Sequence, residues 1–310
     1  MPELPEVETV RAGLAEVVAG AKVTKVEIHD QRSLKRHPAS SGDFVETLTG
    51  RTILAAVRRG KFLWLPLNRK RDEPQLALIG HLGMSGQMLL RTPGFLADPL
   101  TRVTIYLKAQ DGAKYELRFV DQRIFGSLAI DVMEPTQDGF HGGYSGLDGS
   151  LEPWVNMIPN QVAHISRDPL DPVFSVDDVL KLFKKKQSGI KRVLLDQGVL
   201  SGIGNIYADE SLWLAKVHYD QPAASLSKPK AKELLEHVRV VLANACEAGG
   251  TSFDEQYKNI NGESGYFSIS LNAYGLTGLP CKRCGRAIKR ENWMNRGSHF
   301  CPSCQRLRRK

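Results

Sequence analysis

The amino-acid sequence predicts an α+β protein of more than one domain, with a mostly β region first, a helical region second and a small cysteine-bearing module last. Three observations lead to this prediction. Short apolar or alternating runs fill residues 22–133, helical periodicity prevails from about residue 175 to 247, and two Cys-x-x-C pairs lie in the last thirty residues. A chain of 310 residues also exceeds the length of one typical domain.

A helix is predicted to begin almost at the first residue. Pro5 suits a first helical turn because its missing N–H costs nothing there, and the Glu6 carboxylate complements the positive end of the helix dipole. Apolar residues then recur at helical spacing from Val7 to Val17. This helix should pin the start of the chain against a core.

Six strand-like segments follow, and turn residues separate them at the intervals expected of a β-sandwich or barrel. The segments are residues 23–28, 51–57, 62–65, 76–79, 103–107 and 115–120. We interpret residues 1–135 as one mostly β domain. Residues 136–170 are rich in Gly, Pro, Ser and Asp without a sustained period, which predicts a linker, with an irregular stretch around residues 140–159.

Four helices are predicted in the next region, residues 171–265, beginning near residues 175, 190, 206 and 228. The third follows the glycine-rich segment Ser201–Gly204, and Asn205 is placed to cap it. Free N–H groups at such a helix start can hold a phosphate, although most such starts are only caps. Residues 266–310 complete the chain as a small terminal module.

The cysteines of this module have the spacing of a metal site. Sixteen residues separate the pair Cys281 and Cys284 from the pair Cys301 and Cys304, which is typical of a zinc ribbon. Four thiolates leave no open position on the metal, so one structural zinc ion is expected. Without a secretion signal, disulfides are disfavoured. The fifth cysteine, Cys246, lies on a predicted helix and is interpreted as a packing residue.

The composition permits a polyanionic partner and disfavours a membrane. The formal net charge is +8, while 42% hydrophobic and 25% charged residues are ordinary for a soluble globular protein. No run reaches the ~18 consecutive apolar residues of a membrane span. We therefore expect a cytoplasmic protein. The cations of Lys184–Lys186 and Lys191–Arg192 can neutralise phosphates. For residues 306–310, a solvated tail is the alternative to such a contact.

Two predicted loops carry side chains suited to a distorted duplex. The loop His81–Gly86 has Met84 near its tip, and an exposed Met can wedge between bases. The loop Asp121–Gly126 presents Arg123 and Phe125 two residues apart, a pair that can fill the void left by a flipped base. Plain core packing is the alternative for Met84 and Phe125.

Together these motifs resemble the formamidopyrimidine-DNA glycosylase branch of the Fpg/Nei DNA-repair family, nearly from end to end. The landmarks are Met1–Thr9, Arg59–Lys61, His81–Gly86, Asp121–Gly126, Ile190–Gln197, Gly202–Glu210, Gly265–Phe267 and the two cysteine pairs. The resemblance implies an N-terminal β-sandwich with flanking helices, a helix–two-turn–helix domain and a C-terminal zinc-ribbon finger. It also implies a monomer that acts on double-stranded DNA, without a membrane, in the bacterial cytoplasm and in association with the nucleoid.

The resemblance implies roles for the residues at the chain start. Removal of Met1 would leave Pro2 with a free secondary amine, which can attack the deoxyribose C1′ and form an iminium intermediate. A reference α-amino pKa of about 7.7–8 leaves some free amine at neutral pH. Glu3 matches the family's catalytic acid, and Glu6 matches a second, supporting acidic residue.

Other family positions imply phosphate chemistry and DNA contacts. Lys61 matches a lysine of phosphate binding and β-elimination, and Arg296 matches the finger arginine linked to δ-elimination. Met84, Arg123 and Phe125 match the void-filling triad. Further DNA contacts fall on His81, Lys185, Lys191, Asn205 and Tyr266. This chain lacks the family's usual histidine before Val103, so that DNA contact is either missing or replaced by Arg102, which we include among the expected contacts.

The resulting expectation is a bifunctional DNA glycosylase and abasic-site lyase for 8-oxoguanine and formamidopyrimidines, with zinc as its only cofactor. Two alternatives stay open. One is an endonuclease VIII-like enzyme for oxidised pyrimidines, against which Arg123, Phe125 and Leu4 argue. The other is a non-catalytic zinc-containing DNA-binding protein, against which the joint presence of Pro2, Glu3, Lys61 and Arg296 argues, because binding alone does not require them.

Overall fold

The computed structural model describes residues 2–147, 149–251 and 270–308. Their contacts divide them into two compact units. The first holds the described residues of Met1–His164 and Gly249–Tyr266, and the second those of Ile165–Ala248 and Phe267–Lys310. No helix in the described part of the chain has the length and apolar character needed to cross a membrane.

Among its described residues, the first unit contains two antiparallel sheets and two α-helices, α1 (Leu4–Val18) and α2 (Phe44–Leu48). Its strands are β1 (Lys22–Ile28), β2 (Val57–Arg59), β3 (Phe62–Pro66), β4 (Leu76–His81), β5 (Gly86–Arg91), β6 (Thr101–Lys108), β7 (Lys114–Asp121), β8 (Ser127–Pro135) and β9 (Met157–Pro159). One sheet has the order β1-β6-β7-β5, and the other β2-β3-β4-β8-β9. Leu14, Leu78 and Phe119, from α1 and both sheets, share one buried apolar core, as a β-sandwich requires.

This unit differs from the expectations in several details. Strands β5 and β8 lie outside the six predicted segments. The run 51–57 is not one strand, because it passes from one sheet to the other. Thr52 pairs with Lys22, the first residue of β1, whereas Ile53 pairs with Leu67, the residue that follows β3. The predicted linker contains strand β9, which pairs with β8 in spite of its Pro- and Gly-rich surroundings. The predicted N-terminal helix is confirmed as α1.

The second unit contains the four expected helices and a hairpin. The helices are α3 (Val176–Lys185), α4 (Ile190–Leu194), α5 (Asn205–Leu214) and α6 (Lys228–Glu247), and the hairpin strands are β10 (Lys289–Trp293) and β11 (Arg296–Phe300). Ser175 caps α3 by accepting a hydrogen bond from the Asp178 backbone N–H. Near the cysteines, a small core formed by Trp213, Ala273, Ile288 and two of the thiols supports the hairpin.

Candidate functional site

The chain start is buried in the first unit. Pro2 and Glu3 lie directly before α1, and only 3% of the Glu3 surface is exposed. The backbone N–H of Glu3 donates to Glu6 Oε2 over 2.8 Å, as part of a capping box at the first turn of the helix. This hydrogen bond fixes the path of the backbone next to Pro2.

Glu6 also holds a distant segment of the same unit. Its Oε1 accepts hydrogen bonds from the Thr251 backbone N–H over 2.8 Å and from Thr251 Oγ1 over 3.0 Å. Gly250 adopts a φ of +85°, and a Cβ there would lie 2.9 Å from Glu6 Oε1. The carboxylate therefore joins the first turn of α1 to residues 250 and 251, a role that the sequence did not reveal.

Lys61 and His81 are neighbours at one end of a sheet. Lys61 lies in the turn between β2 and β3, and the next residue, Phe62, pairs with His81 across β3 and β4. Burial and the charges of Arg36, Lys61 and Lys35 lower the pKa of His81 to about 4. His81 Nδ1 accepts from the Gly83 N–H over 3.2 Å, so the neutral ring carries its proton on Nε2.

The two predicted loops present their side chains to solvent. Met84 is 38% exposed and Phe125 is 52% exposed, and Arg123 is also exposed. Core packing is therefore excluded for both apolar residues. Ile124, between Arg123 and Phe125, has a φ of +55°, an uncommon backbone conformation that turns the loop sharply.

Arg102 is partly buried in the first unit, and two acceptors hold its guanidinium. Its Nε donates to the Asp121 carbonyl over 2.8 Å, and its Nη1 pairs with Asp30 over 3.2 Å. Because these partners hold the guanidinium, we leave Arg102 out of the proposed DNA contacts.

Lys191, on α4, is fully buried in the second unit. Its Nζ lies 2.6 Å from Asp209 Oδ1 and donates to Ser298 Oγ over 2.8 Å, and it lies 5.0 Å from the centre of the Trp293 ring. The opposite carboxylate oxygen of Asp209 accepts from the His299 backbone N–H over 2.8 Å. Lys191 thus stabilises the hairpin from within, and it too is left out of the proposed DNA contacts.

Asn205 does not cap α5, contrary to the sequence prediction. The cap is Gly204, whose extended backbone leads into the helix, and Asn205 is the first helical residue. The Asn205 side-chain amide instead donates to the Gly297 carbonyl over 3.1 Å. A cap requires the side chain to fold back onto its own helix, whereas this amide reaches across to the hairpin.

Arg296 and Lys185 are exposed cations of the second unit. Arg296 begins β11 directly after the two-residue turn Met294–Asn295, in which both residues have positive φ. A cavity of about 630 Å³ lies beside Arg296 and is also lined by Lys186, Arg192 and Trp293 among others. The acidic residue Asp196 also lines it and pairs with Lys186, so Arg192 and Arg296 give the cavity its net positive charge.

The four cysteines of the terminal module converge on one point. Their Sγ atoms all lie within 4.8 Å of one another, and those of Cys284 and Cys301 are 3.5 Å apart. Zn–S bonds of about 2.3 Å in a tetrahedron place sulfur atoms about 3.8 Å apart, so the cluster fits one zinc ion with no open position. The predicted ligand set is thereby confirmed as a metal site.

Two acidic residues of α5 were missed by sequence reasoning. Asp209 pairs with Lys191, and the buried Glu210 accepts from the backbone N–H groups of Ala273 and Tyr274 over 2.8 and 2.9 Å. The sequence feature that could have revealed them is a pair of adjacent carboxylates within a largely apolar helix. The prediction for Tyr266 lies outside the described residues.

Three family models match the chain. They describe the formamidopyrimidine-DNA glycosylase N-terminal domain over residues 1–128, the formamidopyrimidine-DNA glycosylase H2TH domain over residues 165–256, and a zinc finger found in FPG and IleRS over residues 278–307. Together they cover most of the sequence.

Known proteins resemble the chain over their full length. A formamidopyrimidine-DNA glycosylase of Leifsonia xyli is 55% identical, with 99% of this chain and 100% of the relative covered, and one of Streptomyces avermitilis is 47% identical, with 100% and 99% covered. Among solved structures, a Lactococcus lactis Fpg variant in complex with Fapy-dG-containing DNA matches with a TM-score of 0.79, 30% identity and 98% and 100% coverage. The MutM (Fpg) protein of Thermus thermophilus matches with a TM-score of 0.76, 33% identity and 99% and 100% coverage.

Proposed function

The chain belongs to the formamidopyrimidine-DNA glycosylase family, and from this premise we propose a bifunctional DNA glycosylase and abasic-site lyase of base excision repair. Its substrates would be 8-oxoguanine and formamidopyrimidines paired with cytosine in duplex DNA. The observation that carries the proposal is the buried pair Pro2 and Glu3, held at the start of α1 by Glu6.

The chemistry begins once Met1 is removed and Pro2 has a free amine. The amine attacks C1′ of the damaged nucleotide, the bond from C1′ to the base breaks, and the base leaves with a proton. Glu3 protonates the sugar ring oxygen, so that the ring opens and a Pro2 iminium forms. The iminium acidifies the C2′ protons, and successive β- and δ-elimination then expel the 3′ and 5′ phosphates without a redox step.

The remaining roles follow from placement and charge. Lys61 and Arg296 would contact the phosphates that leave, and Met84, Arg123 and Phe125 would fill the void opposite the displaced nucleotide, with Arg123 facing the unpaired cytosine. The further proposed contacts with DNA are His81, Lys185, Asn205 and Tyr266. Zinc, when bound by the four cysteines, holds the finger that carries Arg296 and takes no part in the reaction.

Covalent trapping tests the reaction directly. Borohydride reduces an iminium to a stable amine, so the Met1-processed protein should be cross-linked to a duplex containing 8-oxoguanine, whereas Pro2→Gly should lose the adduct. The matched control is Pro5→Ala, which changes a proline of the same segment that has no free amine. Absence of an adduct from processed wild-type protein would leave the non-catalytic DNA-binding alternative standing.

The choice of purine over pyrimidine substrates needs a separate comparison. Single-turnover rates of base release from duplexes with 8-oxoguanine and with thymine glycol should favour 8-oxoguanine. A preference for thymine glycol would assign the chain to the endonuclease VIII-like alternative instead.

A further inference from the structure

One fully buried carboxylate lies beneath the two loops of the first unit that carry Met84 and Arg123. Asp121 is the last residue of β7, with 0% of its surface exposed, and it pairs across the sheet with Gly86, the first residue of β5. The Met84 loop, residues 82–85, precedes β5, and the Arg123 loop, residues 122–126, follows β7. Asp121 therefore lies where the two loops meet.

The carboxylate hydrogen-bonds to both loops at once. Asp121 Oδ1 accepts from Ser85 Oγ in the Met84 loop over 2.6 Å and from the Arg123 backbone N–H over 3.2 Å. Asp121 Oδ2 accepts from the Gly126 backbone N–H over 2.7 Å. Ser85 Oγ in turn accepts from the Arg123 N–H over 3.0 Å, so its own proton is directed to Asp121.

Backbone packing also joins the two loops. Gly83 has a φ of +62°, and a Cβ there would lie 2.5 Å from the Gly126 nitrogen and from the Phe125 carbonyl carbon. Only glycine allows this approach. From the outer side, Lys35 Nζ donates to the Ile124 carbonyl over 2.6 Å. The tips that carry Met84, Arg123 and Phe125 are thus fixed to one another through their bases.

We propose that Asp121, together with Ser85, is a positioning pair that makes the Met84 loop and the Arg123 loop a single preformed wedge. This inference rests on the proposed function and deepens it, because it names the residues that position the two loops for filling the void and for contacting the base opposite the lesion. Asp121 touches no reacting atom. It acts by ordering both loops during folding, so that DNA binding need not order them.

The test is the selectivity for the base opposite the lesion, measured as the ratio of single-turnover excision rates opposite cytosine and opposite adenine. Asp121→Asn replaces one acceptor oxygen by a donor, so the Arg123 loop loses the acceptor of one of its two backbone N–H groups, that of Arg123 or that of Gly126. The substitution should therefore lower the ratio about tenfold. Ser85→Ala keeps the Gly126 hydrogen bond, and should lower the ratio about threefold. The ratio does not depend on the fraction of folded protein, so a merely structural role would leave it unchanged.

Controls separate this inference from the proposed function. Leu107 is a buried residue of β6, at the end of that strand far from Asp121. Leu107→Ala removes core volume there, and should reduce the stability of the protein while leaving the ratio of excision rates at the wild-type value. If Asp121→Asn does not fold, the ratio of excision rates measured for Ser85→Ala alone tests the proposal. Ratios equal to wild type in the folded variants would overturn the role of Asp121, whereas failure of the wild-type protein to be trapped on a preformed abasic site would overturn the proposed function.

Discussion

The two units hold their candidate DNA-contacting residues in different ways. In the first, the chain start and the loops of Met84 and Arg123 rest on a large apolar core, and the carboxylates of Glu6 and Asp121 accept hydrogen bonds from two backbone N–H groups each. In the second, the hairpin that carries Arg296 has a largely exposed strand, β10, and a small core. The hairpin therefore depends mainly on the metal site and on the buried ion pair of Lys191 with Asp209, whereas the first unit depends mainly on its apolar core.

Removal of the metal should have the largest effect, because it acts on the terminal module of the second unit and leaves the core of the first unit intact. Structural zinc contributes roughly 10–16 kcal/mol of apparent folding free energy in small fingers, so chelation or Cys301→Ser should unfold the terminal module and abolish DNA binding. A colorimetric indicator measures zinc release, and fluorescence anisotropy measures DNA binding in the same samples. Cys246→Ser is the matched control, since that cysteine lies outside the metal cluster. DNA binding that survives complete zinc release would contradict the expectation.

A smaller effect is expected from the buried ion pair of the second unit. Lys191→Met leaves the Asp209 charge buried without its cation, and should lower the free energy of unfolding by about 3–5 kcal/mol. Urea denaturation measures the loss, and hydrogen-exchange mass spectrometry should locate it in α4, α5 and β11.

The double variant Lys191→Met with Asp209→Asn serves as the control for this pair. The asparagine removes the unpaired charge but still offers an oxygen to the His299 N–H, so part of the stability should return. If the double variant is no more stable than Lys191→Met, the buried charge is not the cause of the loss.

The smallest expected effect lies in the first unit and depends on pH. His81 has a pKa of about 4 in the folded protein, and an ordinary pKa of 6.5 when unfolded. Between these values the unfolded chain binds more protons, so stability should fall as the pH is lowered from 7 to 5, by about 1–2 kcal/mol from His81. Urea titrations of wild type and His81→Gln should show a shallower pH dependence in the variant; equal slopes would refute the assignment.

Local patterns predicted those parts of the molecule whose partners are close in sequence. The cysteine spacing predicted the metal site, and the predicted end of helical periodicity at about residue 247 matches the last residue of α6. The partners of other residues lie far away in the sequence and could not be predicted from it. Arg102 pairs with Asp30, 72 residues away, and Lys191 meets Ser298, 107 residues away, so local patterns did not show the contacts that hold these two cations. Strand β9 was missed because its pairing with β8, rather than its own composition, makes it a strand.

The hydrogen bonds between Glu6 and Thr251 have a consequence for the order in which the protein is made. They join residues 245 positions apart, and the helices α3 to α6 of the second unit lie between them in the chain. A nascent polypeptide that has emerged only through β9 holds all the strands described for the first unit, but its Glu6 carboxylate still lacks Thr251. The surroundings of Pro2 are therefore completed late in synthesis, after the second unit's helices have left the ribosome.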